Sequence, residues 1–257
     1  MCSVAQHHEH APAHARPIAA RTVGLSKTYG KGDAQVVALD DVSVDFEQGR
    51  FTAVMGPSGS GKSTLMHCAA ALDRADRGQV FIGEQEITGL KDKALTRLRR
   101  DRIGFIFQAF NLVPTLSAKE NILLPLAIAG RKPDQAWYDT VISTTGLGDR
   151  LRHRPSELSG GQQQRVACAR ALVSRPEIIF ADEPTGNLDS RAGREVLTLL
   201  AAASRELFDA EPGRERLLEH LRHALGSTAD AAVRIYVYWP EQPLVMVVVR
   251  PPTAPPS

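Results

Sequence analysis

The sequence has 257 residues, 43% of them hydrophobic and 23% charged, with a formal net charge of +2. These values are ordinary for a folded protein with its own core, and the near-neutral charge does not indicate a surface for nucleic acids. The longest apolar stretch, Ile122–Ala129, is too short to span a bilayer, and the N-terminus lacks the apolar region of a secretory signal.

Residues 1–20 are rich in alanine, proline and histidine without periodicity, so we expect a disordered tail. Its histidines have no cluster of cysteines or carboxylates beside them, which favours solvated side chains over a metal site. Three scattered cysteines form neither a metal spacing nor a disulfide framework, which is typical of a reduced, cytosolic protein. The residues concerned are His7, His8, His10, His14, Cys2, Cys68 and Cys168.

Short strands are predicted over Thr22–Tyr29, Val36–Phe46 and Phe51–Met55, because runs of β-favouring residues are separated there by Gly-containing turns. Tyr29 ends the first of these strands, just before a Gly-rich turn. An aromatic side chain in that place can stack on a nucleotide base or form the rim of the sheet. The residues leave both interpretations open.

The chain after the third strand matches the phosphate-binding pattern G-x-x-x-x-G-K-[ST] and continues into an apolar helix. Its glycines let successive backbone N–H groups surround phosphate oxygens, and a helix that begins at Lys62 directs further amides toward them. We expect Lys62 to reach the β- and γ-phosphates of a nucleoside triphosphate and the Ser63 hydroxyl to bind Mg²⁺. The loop consists of Gly56, Pro57, Ser58, Gly59, Ser60, Gly61, Lys62, Ser63 and Thr64.

The next segment contains a predicted strand pair, Gln79–Ile82 and Glu86–Thr88, and a basic helix, Asp92–Arg100, whose arginines form a solvated face. A further strand, Arg102–Phe107, ends at Gln108. From there to about residue 170 the patterns are mainly helical. They predict a helical insertion into an α/β protein.

Three helix signals lie in this insertion. Ser117–Glu120 has the spacing of a capping box, and Pro133–Thr144 is a helical stretch. The run Leu158–Gln162 leads into an apolar-periodic helix, Val166–Val173. Its Ser-Gly-Gly sequence provides either a second amide-rich anion site or a flexible N-cap.

A buried strand is predicted over Glu177–Ala181, and it ends in the acidic pair Asp182 and Glu183. Two carboxylates at the tip of a buried strand are costly unless a cation or a water molecule requires them. Asn187-Leu188-Asp189 follows, and a helix is predicted from about Arg191 to Ala203.

This ordered set of motifs resembles the ATP-binding subunit of an ABC transporter over about Arg21–Arg205. The set comprises the phosphate loop, Gln108, the LSGGQ signature at Leu158–Gln162, the strand tip Asp182-Glu183, and Asn187-Leu188-Asp189. The resemblance implies an α/β fold with a P-loop nucleotidase core, an antiparallel β subdomain and an inserted helical subdomain. The branch that serves lipoprotein-release and macrolide-export transporters is most similar in three segments, Gly104–Gln108, Asn111–Leu116 and Gly186–Ser190.

The resemblance also implies roles for single residues. Tyr29 would stack on adenine, Asp182 would hold Mg²⁺ through its water shell, and Glu183 would be the general base that orients the attacking water. Gln108 would contact Mg²⁺ or that water. Positioning and charge stabilisation do most of the catalysis in phosphoryl transfer, so few reacting side chains are needed.

In the family that the chain resembles, two domains face head to tail with two ATP molecules between them, so a second copy of the chain is an expected partner. Ser159 and Gly161 would complete the site of that second subunit, and Asp189 would cross the interface. Residues 108–116 and the helices after them would dock on a separate membrane permease. This implies a cytoplasmic protein, peripheral on the inner face of the cell membrane, without nucleic-acid partners.

The segment 206–257 departs from the family pattern, which expects a strand that ends in a histidine holding the γ-phosphate. His220 and His223 lie in Glu215–Leu225, whose leucines have the spacing of an amphipathic helix. We therefore expect both histidines to be solvated and the switch histidine to be missing. Its loss implies slow or absent hydrolysis, and a degenerate ATP-binding module is an alternative function.

Two strand-like runs follow, Val233–Trp239 and Leu244–Val249, before a Pro-rich tail that we expect to be disordered. Either they form a closing hairpin and the histidine strand is lost, or the second run is that strand and Val249 or Arg250 stands in place of the histidine. A soluble ABC protein acting on ribosomes or DNA is a further alternative. The single cassette and the near-neutral charge weigh against it.

Overall fold

The computed structural model describes residues 18–47, 52–54, 59–189, 191–193, 195–196, 232–237 and 245–250, the last two ranges as backbone strands. Within these ranges, no helix is long and apolar enough to cross a membrane. The predicted tail reaches residue 20, but the first strand begins at Ile18, and Ala19 and Ala20 are buried in the core. Several predicted residues lie outside the described ranges: Cys2, the four tail histidines, Gly56, Pro57, Ser58, His220 and His223.

The secondary structure follows the predicted order. The strands are β1 (Ile18–Tyr29), β2 (Val36–Glu47), β3 (Thr52–Val54), β4 (Arg77–Ile82), β5 (Gln85–Glu86), β6 (Ile103–Phe107), β7 (Ile178–Asp182), β8 (Ala232–Val237) and β9 (Val245–Arg250). The α-helices are α1 (Lys62–Ala69), α2 (Asp92–Arg102), α3 (Ala118–Ile128), α4 (Gln135–Thr145) and α5 (Gly160–Leu172). Residues 191–193 and 195–196 are also helical, and short 3₁₀ turns cover Gly32–Ala34, Gly148–Arg150 and Pro155–Glu157.

An antiparallel sheet with the strand order β2-β1-β4-β5 forms one layer. β5 covers Gln85–Glu86 rather than the predicted Glu86–Thr88. Beyond it the pairing with β4 continues through single bonds, since Val80 N donates to the Thr88 hydroxyl at 2.7 Å and Ile87 N donates to Val80 O. The core under this sheet includes Leu25, Phe46 and α1.

The second sheet has the strand order β3-β8-β9-β7-β6 and contains the strands that lead to the predicted site. β6 and β7 are parallel, and β7 is a continuous apolar run because residues 178–181 are buried. β8 and β9 are antiparallel to each other, as in a hairpin, yet they lie inside the sheet between β3 and β7. β9 is parallel to β7, with Val245 paired to Ile179, and its sequence contains no histidine.

α3, α4 and α5 lie between β6 and β7 in the chain and share one core, which includes Ile122, Val141 and Val166. The predicted capping box at the start of α3 is confirmed, since Ser117 N donates to Glu120 Oε2 at 2.7 Å. With the two sheets, these helices confirm the predicted fold class: an α/β P-loop core, an antiparallel subdomain and a helical insertion.

α5 begins at Gly160, six residues before the predicted start. A second capping box explains the difference: Ser159 N donates to Gln162 Oε1 at 2.9 Å, and Gln162 N donates to Ser159 Oγ. These bonds hold the first helical turn in place despite its two glycines.

Candidate nucleotide site

The first turn of α1 and the carboxyl end of β7 meet at one edge of the second sheet. Ser63 Oγ donates to Asp182 Oδ1 at 3.3 Å, although 119 residues separate the two in the chain. The structure therefore brings together the hydroxyl and the carboxylate that the sequence predicts for Mg²⁺.

The described part of the phosphate loop adopts the conformation for which glycine is needed. Gly59 and Gly61 have φ of +79° and +80°, in the left-handed region. A Cβ at Gly61 would lie 2.1 Å from Ala38 O, whereas a Cβ at Gly59 would meet nothing within 4 Å. Gly61 is thus required by space as well as by conformation, because β2 passes directly against the loop.

Lys62 opens α1 and is only 7% exposed. Its Nζ donates to Ser60 Oγ at 3.1 Å, so the ammonium group is turned back toward the loop. A buried ammonium is costly without anionic or polar partners. The first-turn amides of α1 add positive potential in the same place, which makes this end of the helix suited to phosphate.

Asp182 has a second neighbour that the sequence analysis missed. His67 Nε2 lies 3.3 Å from Asp182 Oδ2, while Ser63 binds the other carboxylate oxygen. The spacing from Ser63 to His67 is i to i+4, which places both on one face of α1. That spacing was the available signal, but it identifies a partner only once the position of β7 is known.

Glu183 follows Asp182 at the tip of β7 and is 9% exposed. Its φ is +46°, a left-handed conformation that costs a non-glycine residue about 1–3 kcal/mol and that concentrates at functional sites. The extended backbone of β7 ends just before this residue, at Asp182.

Gln108 lies at the end of β6, in the loop beside that turn. Its Nε2 donates to Asn187 Oδ1 at 3.4 Å, and Asn187 Nδ2 donates back to Gln108 O at 2.9 Å. Gly186 permits this approach, since a Cβ there would lie 2.5 Å from Gln108 Nε2. The loops after β6 and β7 are therefore joined side by side.

The signature lies elsewhere on the chain, against the helical segment near residue 192. A Cβ at Gly161 would lie 3.2 Å from Ala192 Cβ, and Asp189 Oδ1 accepts the N–H groups of Arg191 and Ala192 at 2.9 and 2.8 Å. Among the described residues, no hydrogen bond joins Ser159 to the phosphate loop. Of the predicted site residues, Ser159, Gly161 and Asp189 thus form a second group.

Tyr29 stands at the end of β1 with 42% of its surface exposed. Its hydroxyl donates to Asp73 Oδ2 at 2.7 Å, and Asp73 lies in the turn after α1. Burial, followed by the bond to Asp73, raises the pKa of Tyr29, so its hydroxyl stays protonated at neutral pH. The tyrosine is therefore tied to the segment that follows α1, the helix that begins in the phosphate loop.

The described residues contain no group of three or more His, Cys, Asp or Glu side chains that could hold a metal ion. Mg²⁺ does not require one, because it keeps several waters and binds through one or two protein oxygens plus substrate phosphates. The Ser63 hydroxyl and the Asp182 carboxylate are such oxygens. The site fits Mg²⁺ bound together with a nucleotide.

Comparison with known proteins identifies a family that the chain matches. The family model described as ABC transporter matches residues 39–186. The lipoprotein-releasing system ATP-binding protein LolD of Idiomarina loihiensis is 43% identical over 188 residues, covering 72% of this chain and 82% of LolD. The macrolide export ATP-binding/permease protein MacB of Marinobacter nauticus is 45% identical over 184 residues, which cover 71% of this chain but only 29% of MacB.

A solved structure is also similar. It is the ATP-binding cassette MJ0796 of Methanocaldococcus jannaschii, described as a dimer in a post-hydrolysis state bound to ADP and Pi. It has a TM-score of 0.65 and 41% identity, covering 73% of this chain and 83% of MJ0796. The chain belongs to the family of ABC transporter ATP-binding proteins.

Proposed function

We propose that this chain is the ATP-binding subunit of an ABC transporter and hydrolyses ATP at a head-to-tail dimer interface to drive a separate membrane permease. The observation that carries the proposal is the meeting of Ser63 with Asp182 beside Lys62 and Glu183. One edge of the sheet thus holds a phosphate site, two oxygens suited to Mg²⁺, and a buried carboxylate that can orient a water molecule.

In the proposed mechanism the phosphates of ATP lie against the first turn of α1 and the ammonium of Lys62. Bound Mg²⁺, held by Ser63 and Asp182, would neutralise charge that develops on the phosphate oxygens. Glu183 orients the attacking water and accepts its proton, as a general base. Gln108, tied to Asn187, brings the loop after β6 to the same water or to Mg²⁺.

A second copy of the chain would complete the nucleotide site at the phosphate loop. Ser159 and Gly161 stand at the N-terminus of α5, which is suited to an anion. In a head-to-tail dimer this end would face the γ-phosphate bound by the other chain, and Asp189 would lie at the interface. The solved dimer of MJ0796 with ADP and Pi supports this arrangement by similarity.

The proposed contact with the permease is an apolar groove of about 430 Å³ between β6, α3 and α5. Arg170 holds its edge by donating to Asn111 O at 2.5 Å and Phe110 O at 2.7 Å. Ile128, at the end of α3, is 70% exposed and lines this groove, so it presents an apolar side chain to a docked partner. Through this contact the chain would be held at the inner face of the cell membrane.

The substitution Ile128→Lys is expected to abolish copurification with a multi-spanning permease from detergent-solubilised membranes. The docked permease would remove water from a charge placed in the groove, and this desolvation opposes binding. Val37→Lys is the matched control, since Val37 is 61% exposed on the antiparallel sheet and should leave the complex intact. Copurification of the unmodified chain with ribosomes instead of a permease would contradict the proposal.

A second candidate function, slow hydrolysis or none, is favoured by one observation. β9 takes the place beside β7 and has no histidine in Val245–Arg250. The family's donor to the γ-phosphate is missing from that strand. The chain would then be a degenerate ATP-binding module that binds ATP and hydrolyses it slowly or not at all.

A further inference from the structure

We propose that Asp73 and Lys27 are positioning residues that hold the Tyr29 ring as a fixed platform for the nucleotide base. The inference rests on the proposed function, because it requires a nucleotide whose base stacks on Tyr29. The charged cluster of Lys27, Asp73 and Asp76 has no role in the proposed chemistry at the phosphate loop or at Asp182 and Glu183. The inference gives this cluster a role.

One part of the cluster fixes the end of the ring. Tyr29 Oη donates to Asp73 Oδ2 at 2.7 Å, and Asp73 lies in the turn after α1, 44 residues further along the chain. The turn itself is tied to β1, since Thr28 N donates to Asp76 Oδ2 at 2.7 Å. The tyrosine hydroxyl is therefore anchored to a segment that cannot move independently of the sheet.

A second part covers one face of the ring. Lys27 precedes Tyr29 by two residues on β1. Its Nζ lies 5.2 Å from the centroid of the Tyr29 ring, within cation–π range. The same Nζ donates to Asp73 Oδ1 at 3.1 Å and to Arg74 O at 2.6 Å.

The cluster contains one cation, Lys27, and two carboxylates, Asp73 and Asp76. Burial alone would raise the pKa of Asp73, but the hydrogen bonds from Tyr29 and Lys27 hold it below its ordinary value. The carboxylate is therefore ionised at neutral pH and accepts both bonds. Asp76, whose Oδ1 lies 3.8 Å from Lys27 Nζ, adds a second negative charge without touching the tyrosine.

These contacts leave the ring ordered before any ligand arrives, while 42% of the residue is still exposed. A base that stacks on an ordered ring does not have to immobilise it. Stacking on an aromatic side chain increases affinity by about 5- to 150-fold. Immobilising one free side chain on binding would reduce that gain by about two- to tenfold.

The phosphate loop recognises phosphates alone, so the cluster should affect ligands with a base and spare ligands without one. Calorimetry with Mg-ATP and with Mg-tripolyphosphate separates the two. Asp73→Ala is expected to weaken ATP binding by about two- to tenfold and leave tripolyphosphate binding unchanged. Asp73→Asn retains an acceptor for the tyrosine hydroxyl. The ratio of its ATP affinity to its tripolyphosphate affinity should therefore stay close to that of the unmodified chain.

One background variant and one control sharpen the test. Most of the effect of Asp73→Ala should disappear in a Tyr29→Phe background, because the anchored hydroxyl is already gone. Asp45→Ala is the control: it removes an exposed carboxylate that pairs with Arg21, on the same strand as Tyr29, and should leave the affinity ratio unchanged.

Equal weakening of both ligands by Asp73→Ala would mean that the cluster only stabilises the fold, and it would overturn the inference. An unchanged ratio in Asp73→Ala, with a ratio reduced by Tyr29→Ala, would overturn the inference and leave the proposed function intact. An unchanged ratio in Tyr29→Ala would remove the base contact itself, and with it the adenine site in the proposed function.

Discussion

The substitution Lys62→Ala is expected to weaken Mg-ATP binding by about one to several orders of magnitude, since each charge-assisted hydrogen bond contributes roughly 1.5–3 kcal/mol. Lys62 is 7% exposed and its Nζ already points to Ser60 in the loop. Without it, the phosphate oxygens would face only neutral amides and hydroxyls there. Isothermal titration calorimetry measures the change directly.

Two controls separate charge from packing. Lys62→Met keeps the apolar stem of the buried side chain and removes the ammonium, so it should lose as much affinity as Lys62→Ala. Lys91→Ala removes an exposed lysine on the surface and should bind ATP normally. Unchanged affinity in both Lys62 variants would remove the basis of the proposed site.

The substitution Glu183→Gln is expected to retain ATP binding and lower phosphate release by about 100- to 10,000-fold, the contribution of a positioned general base. Glutamine preserves the size of the side chain and its left-handed backbone but cannot accept the proton of the attacking water. Release of phosphate from purified protein, alone and with its permease, is the measurement. Glu195→Gln, at an exposed carboxylate paired with Arg191, is the control and should change nothing.

The unmodified chain sets the scale of this experiment. Loss of one preorganised donor to a charged transition state costs about 100- to 1000-fold in rate. Because β9 has no histidine, we expect turnover below about 1 s⁻¹, the lower end of ordinary enzymes. Faster turnover that Glu183→Gln abolishes would show that another residue does the work of the missing histidine.

Much of the fold could be predicted because its signals are local. Alternating and apolar runs marked β1, β2 and β7, and the Ser117–Glu120 spacing marked the start of α3. The same kind of signal placed the start of α5 six residues too late, because the apolar period begins only at Val166. There the bonds between Ser159 and Gln162 outweigh the low helix propensity of the glycines.

The missed contacts in the site are long-range. His67 beside Asp182, and Tyr29 beside Asp73, join segments that are distant in the chain, and no local pattern states which segments will meet. The functional role of the carboxylate pair at the end of β7 could be predicted, because burying charge is costly unless a cation or a water molecule requires it. The residues that contact this pair could not be predicted.

The C-terminal strands show the same limit. Alternation in Val233–Trp239 and the apolar run Leu244–Val249 predicted two strands, and β8 and β9 lie there. The sequence leaves two alternatives open for these strands, a closing hairpin or a replacement for the histidine strand. The strands form a hairpin-like pair and also stand between β3 and β7, because pairing depends on the partners available in the sheet.

The most direct test of the central claim is the mass of the Glu183→Gln protein in solution, measured by light scattering with and without Mg-ATP. If ATP is bound between two chains, the mass should double when Mg-ATP is added. Adding Ser159→Arg to the same protein should leave it monomeric while ATP still binds. A Glu183→Gln protein that remains a monomer with ATP bound would contradict the account.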